Sequence, residues 1–186
     1  IEGNGGFAEK RNEFSSGVNI EDSKVLSQSA RIKGTGGKGF SKVDTSDGIS
    51  LWNSVIETDV LLIKGIAGGE GKKVESSTGV YSFDSRLKAS EILIRGFSGY
   101  GEKLKLNHGV DLVGTKLFAD TIDIVGRPIT DDIDASIPGD SSISWGELNQ
   151  GISIQKQSEL IASDDLRLRG AAQFLGLAGN ATRNDI

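Results

Sequence analysis

Few residues of this chain could do chemistry. Its single histidine, His108, stands immediately before a glycine, in a slot that Ser16, Asp47, Thr78 and Gln150 fill elsewhere. No Ser/His/Asp constellation can be argued from one such position, so His108 reads as a solvated turn residue. The absence of cysteine excludes disulfides and thiolate metal sites. Asp131, Asp132 and Asp134, with Asp140 beyond, crowd one segment and could gather oxygen ligands for Ca²⁺. Neither their spacing nor a terminal bidentate glutamate matches a defined calcium loop, so no metal and no cofactor is assigned. The run GTGGKG from Gly34 to Gly39 satisfies G-x-G-x-x-G, but no helical pattern follows it. A dinucleotide fingerprint needs that helix N-terminus, and the run reads as a loop.

Two outward features could bind a partner. Lys33, Lys64 and Arg95 each precede a glycine at corresponding positions, followed by Val125 and Arg169. Stacked one above another, such cations repel by roughly 1 kcal/mol per neighbour in water. An anionic glycan or acidic neighbours such as Glu91 would relieve this; otherwise the column is a screened, soluble edge. Trp52, Tyr81 and Phe83 form the second feature and could stack on sugar rings, although small apolar surface patches are common. The net charge of −5 argues against nucleic acid as a partner. No apolar run approaches the ~20 residues that cross a bilayer.

What must position these residues is a repeat. A Gly-Val or Gly-Ile dipeptide returns at Gly17, Gly48, Gly79, Gly109 and Gly151, at spacings of 31, 31, 30 and 42 residues. Apolar residues follow each opening at period two, as in Val18/Ile20, Ile49/Leu51 and Val110/Leu112. They recur at Val25, Ile56, Leu87 and Leu117, and again at Ala30/Ile32, Leu61/Ile63, Ile92/Ile94, Ile122/Ile124 and Leu166/Leu168. Period two means strand, so each unit predicts three short strands. A hydroxyl column, Ser23, Ser54, Ser85, Thr115 and Ser158, suits the bend between the first two. The closing glycines Gly34, Gly65, Gly96, Gly126 and Gly170 mark a corner where positive φ is expected.

Units too small to bury a face alone must stack. The expected fold is therefore all-β: a right-handed parallel β-helix, a single-stranded solenoid of about five coils with Gly-rich loops. It spans residues 1–186 as one continuous array, with a long loop over 127–150 that holds both prolines, Pro128 and Pro138. Handedness comes from the general preference of parallel crossovers. Val43, Val74, Leu104, Phe14 and Leu106 are expected to rejoin the core from the loops. Ser82 breaks an aliphatic column, and either a one-residue slip turns Phe83 inward or Phe83 stands exposed. Ile1-Glu2-Gly3 matches Ile32-Lys33-Gly34, and the chain is expected to be a piece of a longer array.

The phrase G-[VI]-x-[IL], then S-x-[VIL], then I-x-I-x-G and a Gly-rich loop, running from Ile1 through Gly170, resembles the repeat shaft of filamentous-haemagglutinin-type exoproteins. These are the secreted partners of bacterial two-partner secretion. The resemblance implies a right-handed parallel β-helix, an outer-membrane transporter as partner of the parent protein, and a secreted or cell-surface location. It further implies a structural or adhesive role, with a host or neighbouring-cell glycan or protein as contact. Neither proline follows an asparagine, so the family's Asn-Pro-rich secretion motif has no counterpart and this stretch reads as shaft, not enzyme. Autotransporter passengers share such coils, and a β-helical polysaccharide lyase or hydrolase is the enzymatic alternative.

Overall fold

The computed structural model describes residues 1–8, 11–39, 42–68, 74–99, 106–128 and 148–170. Among them every regular element is a strand. β1 (Glu2–Asn4), β2 (Phe7–Ala8) and β3 (Arg11–Phe14) precede the first repeat, which supplies β4 (Val18–Glu21), β5 (Lys24–Leu26) and β6 (Ser29–Thr35), with β7 (Lys38–Gly39) after it. The second repeat gives β8 (Lys42–Trp52), β9 (Val55–Glu57) and β10 (Val60–Ile66), and the third gives β11 (Val74–Phe83), β12 (Arg86–Lys88) and β13 (Glu91–Ser98). In the last two repeats the second and third strands fuse: β14 (Leu106–Val113) leads to β15 (Lys116–Pro128), and β16 (Leu148–Gln155) to β17 (Glu159–Gly170).

All pairings are parallel and join residues one repeat apart. Ile32, Ile63, Ile94, Ile124 and Leu168 are successive partners in a nine-stranded sheet. Val18, Ile49, Val80, Val110 and Ile152 are successive partners in a six-stranded one. The chain is an all-β parallel solenoid whose core is the aliphatic ladders between these two sheets.

The coil count differs slightly from the five expected, at about 3 turns. Burial shows why the repeats are unequal. Ile49, Leu51, Val80, Ile94, Val110 and Ile124, with coils on both sides, are fully buried, whereas Leu166 and Leu168 in β17 remain 36% and 39% exposed.

Each first bend turns through one left-handed residue, at Asp22 (φ 46°), Asn53 (45°), Asp84 (45°) and Gly114 (63°). Asn, Asp and Gly are the types that tolerate this conformation. The hydroxyl that follows fastens the bend to the next coil: Ser54 Oγ accepts the Ser23 amide and Ser85 Oγ accepts the Ser54 amide, both at 3.1 Å. Ser54 and Ser85 then donate to the Trp52 and Phe83 carbonyls. The last repeat is two residues longer from opening to closing glycine. One extra residue enters this bend, where Lys156 and Gln157 are both left-handed; the other is a bulge between Ala162 and Asp165. Register recovers after each.

Two expectations change and one open alternative is decided. Among the described glycines only Gly114 has positive φ, so the closing glycines serve close approach instead of turning. A Cβ on Gly34, Gly65, Gly96 or Gly126 would sit 2.0, 1.8, 1.9 or 1.8 Å from the carbonyl oxygen of Gly48, Gly79, Gly109 or Gly151. Opening and closing glycines thus press backbone to backbone and pinch the coil. Beyond the pinch, Phe14 and Leu106 do not rejoin the core; they are 82% and 40% exposed, and the side chains of Val43, Val74 and Leu104 lie outside the described residues. Buried serines line that side. Ser46 Oγ donates to the Gly37 carbonyl and accepts the Gly68 amide, and Ser77 Oγ does the same between Gly68 and Gly99. Finally, no slip occurs at Ser82, which pairs with Leu51 while Phe83 pairs with Trp52. Ser82 is buried and accepts a bond from Thr115 Oγ1 at 2.9 Å.

Candidate functional site

The two outward features lie on different sheets. Lys33, Lys64, Arg95, Val125 and Arg169 do form one lateral column of the nine-stranded sheet. Lys64, Arg95 and Arg169 find partners within the fold. Lys64 Nζ lies 5.7 Å from the Phe97 ring centroid, an arrangement that a ring quadrupole favours. Arg95 Nη2 donates to Asp123 Oδ2 at 2.9 Å, and Arg169 donates to the same oxygen. The hydrogen bond from Arg95 holds the Asp123 carboxyl down at about 2. Asp123, not Glu91, is the acidic neighbour. Glu91 lies four residues before Arg95 on β13, roughly 13 Å away along a strand, whereas Asp123 sits diagonally across the Arg95–Val125 pair, within reach of a long side chain.

Trp52, Tyr81 and Phe83 come together on the outer face of the six-stranded sheet. Trp52 is the hub: its ring lies 5.2 Å from Tyr81 at 56° and 5.0 Å from Phe83 at 37°, geometry typical of attractive aromatic pairs. Trp52 is 39% exposed, and Lys156 Nζ sits 5.3 Å from the Phe83 centroid.

Beside these rings lies a polar network that the sequence did not disclose. Asp47, Ser50, Thr78, His108, Asp111 and Ser153 all occupy the outer face of β8, β11, β14 and β16, yet all are buried. Ser50 Oγ donates to Asp47 Oδ2 at 2.8 Å and lies 3.1 Å from Ser16 Oγ. His108 Nδ1 is 3.5 Å from Asp111 Oδ2, while Gln155 Nε2 donates to Asp111 Oδ1 at 3.1 Å. Burial pushes the Asp47 carboxyl up to about 7, against hydrogen bonds from Ser50 and the Thr78 backbone, with the Asp111 charge adding to the rise. Burial likewise pushes the Tyr81 phenol up to about 12, helped by the charges of Asp111, Asp47 and Asp84. Tyr81 stands between Ser50 and Asp111 in register, so the rings and the network form one surface.

His108 is therefore a buried strand residue and not a solvated turn. One signal could have found the network. Just before each opening glycine stand Ser16, Asp47, Thr78, His108 and Gln150, and two after it Asn19, Ser50, Tyr81, Asp111 and Ser153. These columns hold no lysine, arginine or glutamate, the long charged residues that normally occupy an exposed face.

An open groove along the second bend passes Glu57, Asp59, Lys88 and Asp120. The calcium candidates Asp131, Asp132 and Asp134, with Asp140, lie outside the described residues. Among the described residues no three His, Asp or Glu side chains are grouped to hold a metal ion. No protein-family model, curated protein or solved structure matches the chain.

Proposed function

We propose that this chain is a shaft segment of a large secreted or surface-anchored bacterial exoprotein of the filamentous-haemagglutinin type, exported through an outer-membrane transporter. Its work is extension, with a host or neighbouring-cell glycan contacted on the way through the aromatic face. The observation that carries this reading is the stacking of like upon like: five successive partners in the Ile32 column, each a whole repeat apart in sequence. A fold built so lengthens along one axis by adding coils, about 4.8 Å for each, and every added coil buries another set of ladders. Duplicating residues 48–78 is the direct test. Small-angle scattering should show a particle longer by one coil spacing and of unchanged cross-section; a particle that widens or unfolds overturns the extension reading.

A second reading, a β-helical polysaccharide lyase or hydrolase, is favoured by the Asp47 carboxyl near 7 and the His108–Asp111 pair on one face, since general acids and bases work best with such values. Incubation with acidic polysaccharides and Ca²⁺ decides between them. No product supports the shaft; product release that disappears in Asp47→Asn or His108→Ala replaces it.

A further inference from the structure

Resting on the glycan-contact reading above, we propose that the Trp52 face selects an uncharged hexose chain and turns acidic polysaccharides away. Trp52 offers the open ring of the cluster, because the Lys156 ammonium already occupies one face of Phe83 and Tyr81 is more deeply set. A sugar ring laid on that indole needs hydroxyl partners at its edge, and the adjoining bend supplies them. Glu21 is the lateral partner of Trp52. Asp22, Asn53 and Asp84 are exposed at the left-handed positions that follow Glu21, Trp52 and Phe83, and Asn53 already donates to Asp22 at 2.7 Å. Carboxylates and amides of this kind accept and donate to neutral hydroxyls.

The same groups decide against a charged chain. A uronate or sulfate on the indole would face Glu21, Asp22 and Asp84, with Lys156 as the cation at hand on this face among the described residues. Like charges a few ångströms apart are unfavourable even in water. The cations that might have answered it, Lys33, Lys64 and Arg95, belong to the other sheet, and Arg95 is held by Asp123. The phosphates of a nucleic acid meet the same obstacle.

Affinity electrophoresis of the full chain in native gels containing hydroxyethylcellulose, heparin or polygalacturonate tests this. Retardation is expected with hydroxyethylcellulose alone. Trp52→Ala should raise the apparent dissociation constant by about tenfold or more, Trp52→Phe should restore most of the retardation, and Lys33→Ala/Lys64→Ala should leave it unchanged. Matching circular dichroism melts keep these comparisons among folded proteins. Retardation by heparin or polygalacturonate alone, lost in the double lysine variant, overturns the preference for neutral chains while leaving glycan contact standing. Retardation by no polymer overturns both, and hydroxyethylcellulose binding indifferent to Trp52→Ala removes it from this face.

Discussion

The two sheets share one interior and present opposite exteriors. On the nine-stranded sheet the outer column is long and charged on either side of the buried Val125: Lys64 is exposed, Arg169 is 55% exposed, and Asp123 ties two arginines together. On the six-stranded sheet the exposed Trp52 stands beside short polar columns, Asp47, Ser50, Thr78 and Asp111 among them, that are buried, and a carboxyl there keeps its proton to about 7. The difference teaches that a ladder core fixes only which residues point inward. Outward columns are free to diverge, and they acquire different electrostatics, desolvation governing Asp47 and the Arg95 hydrogen bond governing Asp123.

Breaking what the sheets share should have the largest effect. Gly96→Val would drive a Cβ to 1.9 Å from the Gly109 carbonyl oxygen; a loss of at least ~4 kcal/mol is expected by urea unfolding, with both faces disrupted together. Ile63→Ala in one sheet and Leu51→Ala in the other remove fully buried side chains, and each should cost about 2 to 5 kcal/mol. Similar values would confirm a common core, and a clear inequality would separate the sheets energetically.

Acid and base then distinguish the exteriors. The folded Asp47 carboxyl lies near 7 against an ordinary 3.8, so the folded state holds its proton more tightly than the unfolded chain. Stability should therefore be greatest near pH 4 and fall as pH rises towards 7, by on the order of 2 to 4 kcal/mol. Asp47→Asn should flatten that slope in a pH series of urea midpoints. Asp123 has the opposite sign. Its folded value near 2 lies below 3.8, so its contribution is present above pH 4 and lost as pH falls towards 2. Asp123 and Arg95 are half-buried and Arg169 is exposed, so Asp123→Asn should cost about 1 kcal/mol at neutral pH, less than the Asp47 effect.

Much of this fold was legible because strand parity and repeat length are properties of sequence. The Ile32 column, the hydroxyl bend at Ser54 and the lateral stacking of Lys33, Lys64 and Arg95 all follow from counting. What counting could not supply was the reason for an absence or for a burial. A glycine at position 65 says that no side chain is tolerated, but a left-handed turn and a carbonyl 1.8 Å from the missing Cβ leave the same letter. Hydrophobicity alone points Phe14 and Leu106 inward, yet the corner beyond the pinch is lined by serines that bond to glycine backbone. The candidate site was half legible: the rings can be named from sequence, and so can the slot that holds Asp47 and His108, but not the burial of that slot, because burial of an outer face depends on its surroundings in three dimensions.

The fourth and fifth opening glycines are 42 residues apart where the others are 30 or 31, yet β16 returns to β14 residue for residue, Leu148 beside Leu106 and Gln155 beside Val113. The loop side of the coil can therefore carry roughly a dozen surplus residues at little entropic cost. That makes the scaffold a host for cargo: an epitope or a peptide tag grafted between two rungs could be displayed at a chosen height on the stem, and several could be spaced along it as on a ruler.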